Sequence, residues 1–126
     1  MGTADMLIAG GRLPLKQTGR TVFVALDQVE YLEASGNYVR VHASGEQYVV
    51  REKLSTFENR LAGRDFVRIH RSVIVNRNSI HELRRLCTGS YIITLASGKQ
   101  VALSRGYRQH LHSLQQPAWQ TVTAQP

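Results

Sequence analysis

The side chains best able to do chemistry in this 126-residue chain fall in three short clusters, each suited to holding anions or the edges of bases. The densest is Phe66-Val67-Arg68-Ile69-His70-Arg71-Ser72-Val73-Ile74-Val75-Asn76. An Arg on a rigid element can reach a phosphate oxygen or the O6/N7 edge of guanine. In an extended run, Phe66, Arg68, His70 and Ser72 share one side, and Val67, Ile69, Arg71 and Val73 the other. Neither side is cleanly apolar, so the backbone is expected to bend near His70-Arg71 and push a side chain outward. The alternative is that Arg71 pairs with an acid such as Asp65 or Glu82.

The second cluster is Leu103-Ser104-Arg105-Gly106-Tyr107-Arg108. With Ser104 as helix N-cap, Arg105 and Arg108 occupy the first turn, where the macrodipole disfavours each cation by about 0.3–1 kcal/mol. An anion there reverses the argument, because free N–H groups and two guanidiniums would converge on it. A DNA phosphate is the natural candidate; otherwise both arginines extend into water. The third cluster, Glu33-Ala34-Ser35-Gly36-Asn37-Tyr38, reads as a turn with Asn37 at its polar tip. Asn can make a bidentate contact to adenine, but in such turns it more often adopts the left-handed conformation or bonds its own backbone.

Catalytic readings find less support. His70 and Ser72 lack a third orienting group and an oxyanion-hole motif, and there is no G-x-S-x-G. Gly10-Gly11 is followed by Arg12-Leu13-Pro14 and not by the Lys-Ser/Thr of a phosphate loop. His110 and His112 are two apart on an expected helix and point apart, while His42 and His81 have no spaced partners, so neither a metal nor another cofactor is expected. The single cysteine, Cys87, excludes an internal disulfide and any multi-Cys zinc site. Between Leu86 and Thr88 it is expected to be a small buried hydrophobe. The chain is therefore expected not to be an enzyme.

Charge sharpens this reading. The net charge is +7 with a pI near 10.2, yet residues 1–62 carry seven Lys/Arg and seven Asp/Glu. Residues 63–126 carry nine Lys/Arg against Asp65 and Glu82, so the whole excess lies in the second half. Thirteen of the sixteen basic residues are Arg, whose planar fork suits phosphate and guanine better than Lys does. A basic surface kept only for solubility is the plainer alternative.

The elements that must position these residues are mostly strands. Period-two spacing marks Thr21–Leu26, Val29–Glu33, Tyr38–His42, Gln47–Arg51, Ser72–Val75, Tyr91–Leu95 and Gln100–Leu103. Ser-Gly bends at Ala43–Glu46 and Ala96–Lys99 join two hairpins, and Asn76–Ser79 is a tight polar turn. Ile69–Asn76 and Ile80–Leu86 are mixed. Two segments switch to helical spacing. Leu54, Phe57 and Leu61 mark a short mid-chain helix over Glu52–Leu61, with Gly63 placed for a left-handed cap. Tyr107, Leu111 and Leu114 mark a C-terminal helix over Gly106–Leu114. A chain this short makes one domain, and no apolar run spans a membrane or marks a signal peptide, so a reducing cytoplasmic setting fits.

The ordered set E-A-S-G-N-Y at Glu33–Tyr38, F-x-R-I-H-R-S-x-I-V-N at Phe66–Asn76, and Gly98 with L-S-R at Leu103–Arg105 resembles the LytTR (LytR/AlgR-type) DNA-binding domain of bacterial response regulators. No one of these motifs alone is specific; together, from about Leu13 to Leu114, they are. The resemblance implies a mostly β fold, an elongated stack of small antiparallel sheets with a short mid-chain helix and a C-terminal helix. The domain is then residues 13–114, between a flexible N-terminal segment 1–12 and a flexible tail 115–126. It implies sequence-specific binding of double-stranded promoter DNA, in a two-component transcription regulator, by loops entering successive major grooves. Those loops carry Asn37 and Tyr38, His70 and Arg71, and Arg105 and Arg108; His70, Ser72 and Asn76 then mainly shape the central turn. Most such regulators place a receiver domain with a phosphorylatable aspartate ahead of this domain. None precedes Leu13, which points to a stand-alone or excised domain whose sensor or receiver partner is elsewhere. Binding as a homodimer on DNA repeats and binding as separate monomers both stay open.

A basic protein-interaction or RNA-binding module is the competing class. RNA-binding sheets offer aromatics at two-residue spacing for base stacking. Aromatics are only 7% of this chain, and Tyr31, Tyr38 and Tyr48 form no such platform.

Overall fold

The computed structural model describes residues 11–115. Ten strands form in order: β1 (Arg12–Gln17), β2 (Arg20–Ala25), β3 (Val29–Ser35), β4 (Tyr38–Ala43), β5 (Glu46–Val50), β6 (Phe66–His70), β7 (Val73–Asn76), β8 (Ile80–Arg85), β9 (Tyr91–Leu95) and β10 (Gln100–Leu103). Helix α1 (Leu54–Arg60) follows β5, and α2 (Leu111–Gln115) ends the described chain. The strands make a central antiparallel sheet in the order β5-β4-β3-β7-β6, a three-stranded sheet β10-β9-β8 and a hairpin β1-β2.

The alternation of side chains explains why the three sheets stack. On β3 and β7, Leu32 pairs with Ile74 and both point into one core with Leu13, Leu15, Val39, Val41 and Phe57 of the hairpin, β4 and α1. The neighbouring pairs put Tyr31, Val73 and Val75 on the opposite face, in a second core with Ile69, Ile93, Leu95, Leu103 and Leu114. The central sheet is thus buried on both faces across β3, β7 and β6. Apolar residues of Phe66–Asn76 accordingly fall on both sides of the run: Phe66 packs on the first core and Val67 and Ile69 join the second.

Tight turns are set by residues that tolerate positive φ. Gly36 takes φ 61° between β3 and β4. Ser44, at φ 52°, is the one non-glycine with positive φ among the described residues, and its hydroxyl and amide both bond Gln28. At Asn76–Ser79 the expected turn is built around Asn76. Its Oδ1 accepts the Asn78 amide and its Nδ2 donates to the Val29 carbonyl, both over 2.9 Å. Gly63, at φ 80°, lies just past α1.

Three expectations differ from what forms. The C-terminal segment is not one α-helix over Gly106–Leu114: Arg105–His110 winds as a 3-10 helix before α2 begins. Ser104 stands at its start without a side-chain cap, and its carbonyl accepts the Tyr107 amide over 2.9 Å. The tighter winding eclipses residues three apart, and this aligns Tyr107 and His110, whose ring centroids lie 5.8 Å apart. Cys87 is exposed rather than buried, because the turn after β8 runs beyond the sheet end, where no layer covers it. Strand β1 was not read as a strand, and it begins at Arg12, within the segment expected to be loose; Arg12 pairs with Ala25 and Leu13 and Leu15 are fully buried. At the other end α2 reaches Gln115. The expected flexible segments otherwise lie outside the described residues.

Candidate nucleic-acid interface

The strand directions bring all three sequence-derived loops to one end of the molecule. Strand β3 ends at Ser35 and β4 leaves at Tyr38, so Gly36-Asn37 is the tip of their hairpin. Because β3 runs antiparallel to β7, with Glu33 opposite Val73, that tip lies beside the Arg71-Ser72 turn. The Ala34 amide donates to the Ser72 carbonyl over 2.8 Å and ties the two turns together. On the other flank the Ser104 amide donates to the Ile69 carbonyl over 2.9 Å, which fixes the start of the 3-10 helix against β6.

Each candidate residue has a definite setting. Asn37 is exposed and does not take positive φ, since Gly36 carries that conformation. Among the described residues its side chain has no hydrogen-bond partner, so neither structural alternative for it applies. Tyr38 is 45% exposed beside it. Arg71 is exposed and forms no ion pair among the described residues. The acids proposed as its partners are taken: Asp65 by Arg77 at 2.8 Å and Glu82 by Arg84 at 3.8 Å. His70 is half-buried and its Nδ1 accepts the Ser72 amide over 3.0 Å, which braces the turn. Arg105 is exposed and unpaired among the described residues, whereas Arg108 is exposed but donates to the Gly89 carbonyl over 2.7 Å. The helix-dipole argument for these two lapses, because a six-residue 3-10 helix has no long macrodipole to focus.

Two features escaped the sequence reading. Arg84 and Arg85 close β8 at this same end, and register places Arg85 opposite Tyr91, which in turn faces Leu103. Arg85 is therefore level with the start of the Arg105 segment, exposed and without an ion pair among the described residues. Its signal was present as a basic pair, but the run Ile80–Leu86 gave no clear period to place it. The second is Arg68. It was visible within a motif, but its many bonds depend on the fold.

Electrostatics divides the molecule by ends. Arg51, Lys53, Arg71, Arg84, Arg85, Arg105 and Arg108 sit at or beyond the strand ends on the loop side, against Glu52 and the Glu82 that pairs with Arg84. At the far end Asp27, Glu30, Glu46 and Asp65 offset Arg12, Arg64, Arg77 and Lys99. Five of the nine basic residues of the second half thus join two from the first at one cationic end. Such an end attracts a polyanion and orients it before contact. The titratable groups with displaced pKa values lie on the sheet away from these loops. The His42 imidazole is held down chiefly by burial, and the Tyr31 hydroxyl is pushed up by burial and then by Glu33 and Glu30. Among the described residues no group of His, Cys, Asp and Glu could hold a metal ion, and no helix is long and apolar enough to cross a membrane.

Comparison with known proteins bears on the family and the fold. Residues 19–116 match the family model of the LytTr DNA-binding domain. The sensory transduction protein LytT of Bacillus subtilis is 28% identical over 103 residues, covering 82% of this chain and 43% of that protein. Its namesake in Bacillus anthracis is 30% identical over 111 residues, covering 88% and 45%. The chain therefore spans less than half the length of these relatives. A solved LytTr DNA-binding domain of a response regulator from Bacillus cereus superposes with a TM-score of 0.73 at 28% identity, covering 85% of this chain and 98% of that one. With most of its length matched by the family model, three stacked antiparallel sheets and the loop motifs gathered at one cationic end, the chain belongs to the LytTR family of DNA-binding domains.

Proposed function

We propose that this chain binds duplex promoter DNA sequence-specifically, as the output part of a bacterial response regulator, by placing three loops in successive major grooves. The observation that carries the reading is the joining of the three turns at one cationic end through Ala34–Ser72 and Ser104–Ile69. Loops held at fixed separation suit a periodic surface such as a duplex, and free guanidinium and amide tips suit base edges. In this reading Asn37 and Arg71 read bases, with Tyr38 packing beside Asn37. Arg105 contacts a base or phosphate, while Arg85 and Arg108 face the backbone. His70 belongs to the interface by position and acts by holding the Arg71 turn. The binding unit spans about residues 13–114.

The chain acts by binding and not by catalysis. In support, His70 Nδ1 is engaged by the Ser72 backbone amide and not by its hydroxyl. The compartment is the cytoplasm, where promoter DNA is found. A receiver or sensor partner supplies the input, and two copies occupy spaced DNA repeats.

Selection from a random duplex pool at two salt concentrations tests the proposal. The expected result is a defined motif, recovered as spaced repeats, with log K falling by about 0.9 per phosphate neutralised for each decade of salt. Recovery of no motif, or a preference for single-stranded RNA in competition, would overturn it.

A further inference from the structure

The interface described above leaves out the most heavily bonded side chain near it. Arg68 lies on β6, two residues before His70, and its side chain is only 13% exposed. All three guanidinium nitrogens are engaged. Nε donates to the His70 carbonyl over 3.1 Å, one Nη donates to the Arg71 carbonyl, and the other donates to Glu58 Oε1 on α1 over 2.7 Å. The Tyr107 ring lies 5.7 Å from Arg68 Cζ. The Arg68 carbonyl, in turn, bonds His110 Nδ1.

We propose that Arg68 is the positioning residue that sets sequence readout: it fixes the Arg71 turn and joins it to the segment carrying Arg105 and Arg108. The inference rests on the DNA-reading function proposed above. It follows from three properties of the site. First, the β6–β7 register slips between Arg68 and His70, so the carbonyls at the turn are not all held by the ladder. Arg68 accepts that task, and two consecutive carbonyls aimed at one planar fork define the backbone from which the Arg71 side chain departs. Second, Tyr107 and His110, aligned by the 3-10 winding, bring the third loop onto the same residue. Third, Glu58 neutralises a guanidinium that is largely withdrawn from water, and so holds it in place.

A Lys at this position keeps the charge and has three donors, but all on one nitrogen, so it cannot span acceptors that each meet a different nitrogen of a planar fork. The loops would then keep their side chains and lose their common geometry. Base contacts, which demand close alignment, suffer first; attraction to the phosphate backbone does not.

The test compares wild-type chain with Arg68→Lys and Glu58→Gln, each checked for a cooperative thermal transition. Affinity is then measured for the selected motif and for a scrambled duplex of equal length. For Arg68→Lys the expected result is a loss of about tenfold or more in the motif-to-scrambled ratio, with scrambled-duplex affinity within about twofold of wild type. Glu58→Gln should shift the ratio in the same direction by less. A folded Arg68→Lys protein with an unchanged ratio overturns the proposal. A parallel fall in both affinities also overturns it, since Arg68 would then be a plain backbone contact. If Arg68→Lys does not fold, Glu58→Gln decides alone: a lowered ratio supports the positioning role and an unchanged one ends it. Failure of the wild-type chain to prefer any motif instead removes the DNA-reading function, and this inference with it, before any variant is compared.

Discussion

Arg108 donates a hydrogen bond to the carbonyl of Gly89, so the segment after β10 and the turn between β8 and β9 are joined by a side chain. The turn closes on itself through the Leu86 amide and the Ser90 carbonyl, 2.8 Å apart. The Gly89 amide also donates to the Leu86 carbonyl over 2.9 Å, while Cys87 and Thr88 are exposed.

Arg108→Ala should therefore have two effects. Affinity for every duplex should fall alike, and the salt slope should shrink by about 0.9 for a lost phosphate contact. Amide exchange within Leu86–Ser90 should also speed up, which a purely solvent-facing arginine would not cause. Binding titrations at several salt concentrations, with hydrogen exchange on the free protein, check both. Unchanged exchange would mean that the bond to Gly89 does not restrain the turn.

Asn37→Ala and Arg71→Ala should behave differently. Both side chains are exposed, so the change in folding stability should stay within roughly 0.5 kcal/mol. Each should instead erase preference at its own base pair, by about 1–3 kcal/mol of discrimination. Repeating the selection with each variant would show the motif relaxed at one position; an intact motif with both would refute these two residues as the readers.

Asn76→Ala tests the turn that carries no DNA contact in this reading. Asn76 is 3% exposed and serves both the Val29 carbonyl and the Asn78 amide. Its loss removes the bond to the carbonyl of buried Val29 as well as that to the Asn78 amide and should cost about 1–3 kcal/mol, seen as a lowered Tm. Well below that Tm the motif preference should be unchanged.

Stability should depend on pH through His42. Its ring stacks on Tyr31 with centroids 4.1 Å apart. Burial is the main cause that lowers its pKa; Lys99 and Arg40 add to the effect, and Glu33 and Glu30 oppose it. The folded state thus binds this proton less readily than the unfolded chain. Stability from this group is fully present above the ordinary imidazole value of about 6.5 and declines as pH falls below it, toward the lowered folded value. His42→Phe keeps a ring for stacking and should flatten the decline. Denaturant titrations between pH 7 and pH 5 on both proteins give the comparison; parallel curves would rule His42 out as the cause.

Much of this architecture was legible because strand alternation is a strong local signal. Tyr91–Leu95 and Gln100–Leu103 emerge with the expected bounds, and the Ser-Gly bends at Ser44-Gly45 and Ser97-Gly98 form turns. Strand β1 was not, because Pro14 interrupts its pattern; a hairpin strand set apart from the main sheet tolerates the missing donor. The C-terminal winding was misread because Tyr107, Leu111 and Leu114 keep helical spacing. The tighter winding is tied at both ends to distant residues, Ser104 to Ile69 and His110 to Arg68, which local spacing does not reveal. Local pattern likewise named the arginine tips at residues 71, 105 and 108, but only the folded registers bring in Arg85. Arg68 was plain in the motif, and its role was not, because its partners stand 10, 39 and 42 residues away along the chain.

The sharing of β3 and β7 between two cores has a kinetic consequence. Leu32 and Ile74 stabilise one half of the molecule, while Tyr31 and Val75 on the same two strands stabilise the other, so neither half can melt and leave its neighbour intact. Unfolding of the two halves is accordingly coupled, which one cooperative transition in a thermal melt would show. The strands that join the halves come from chain positions some forty residues apart, a long-range pairing of the kind that slows folding. Once closed, the same pairing that delays folding protects the loop-bearing end from local opening.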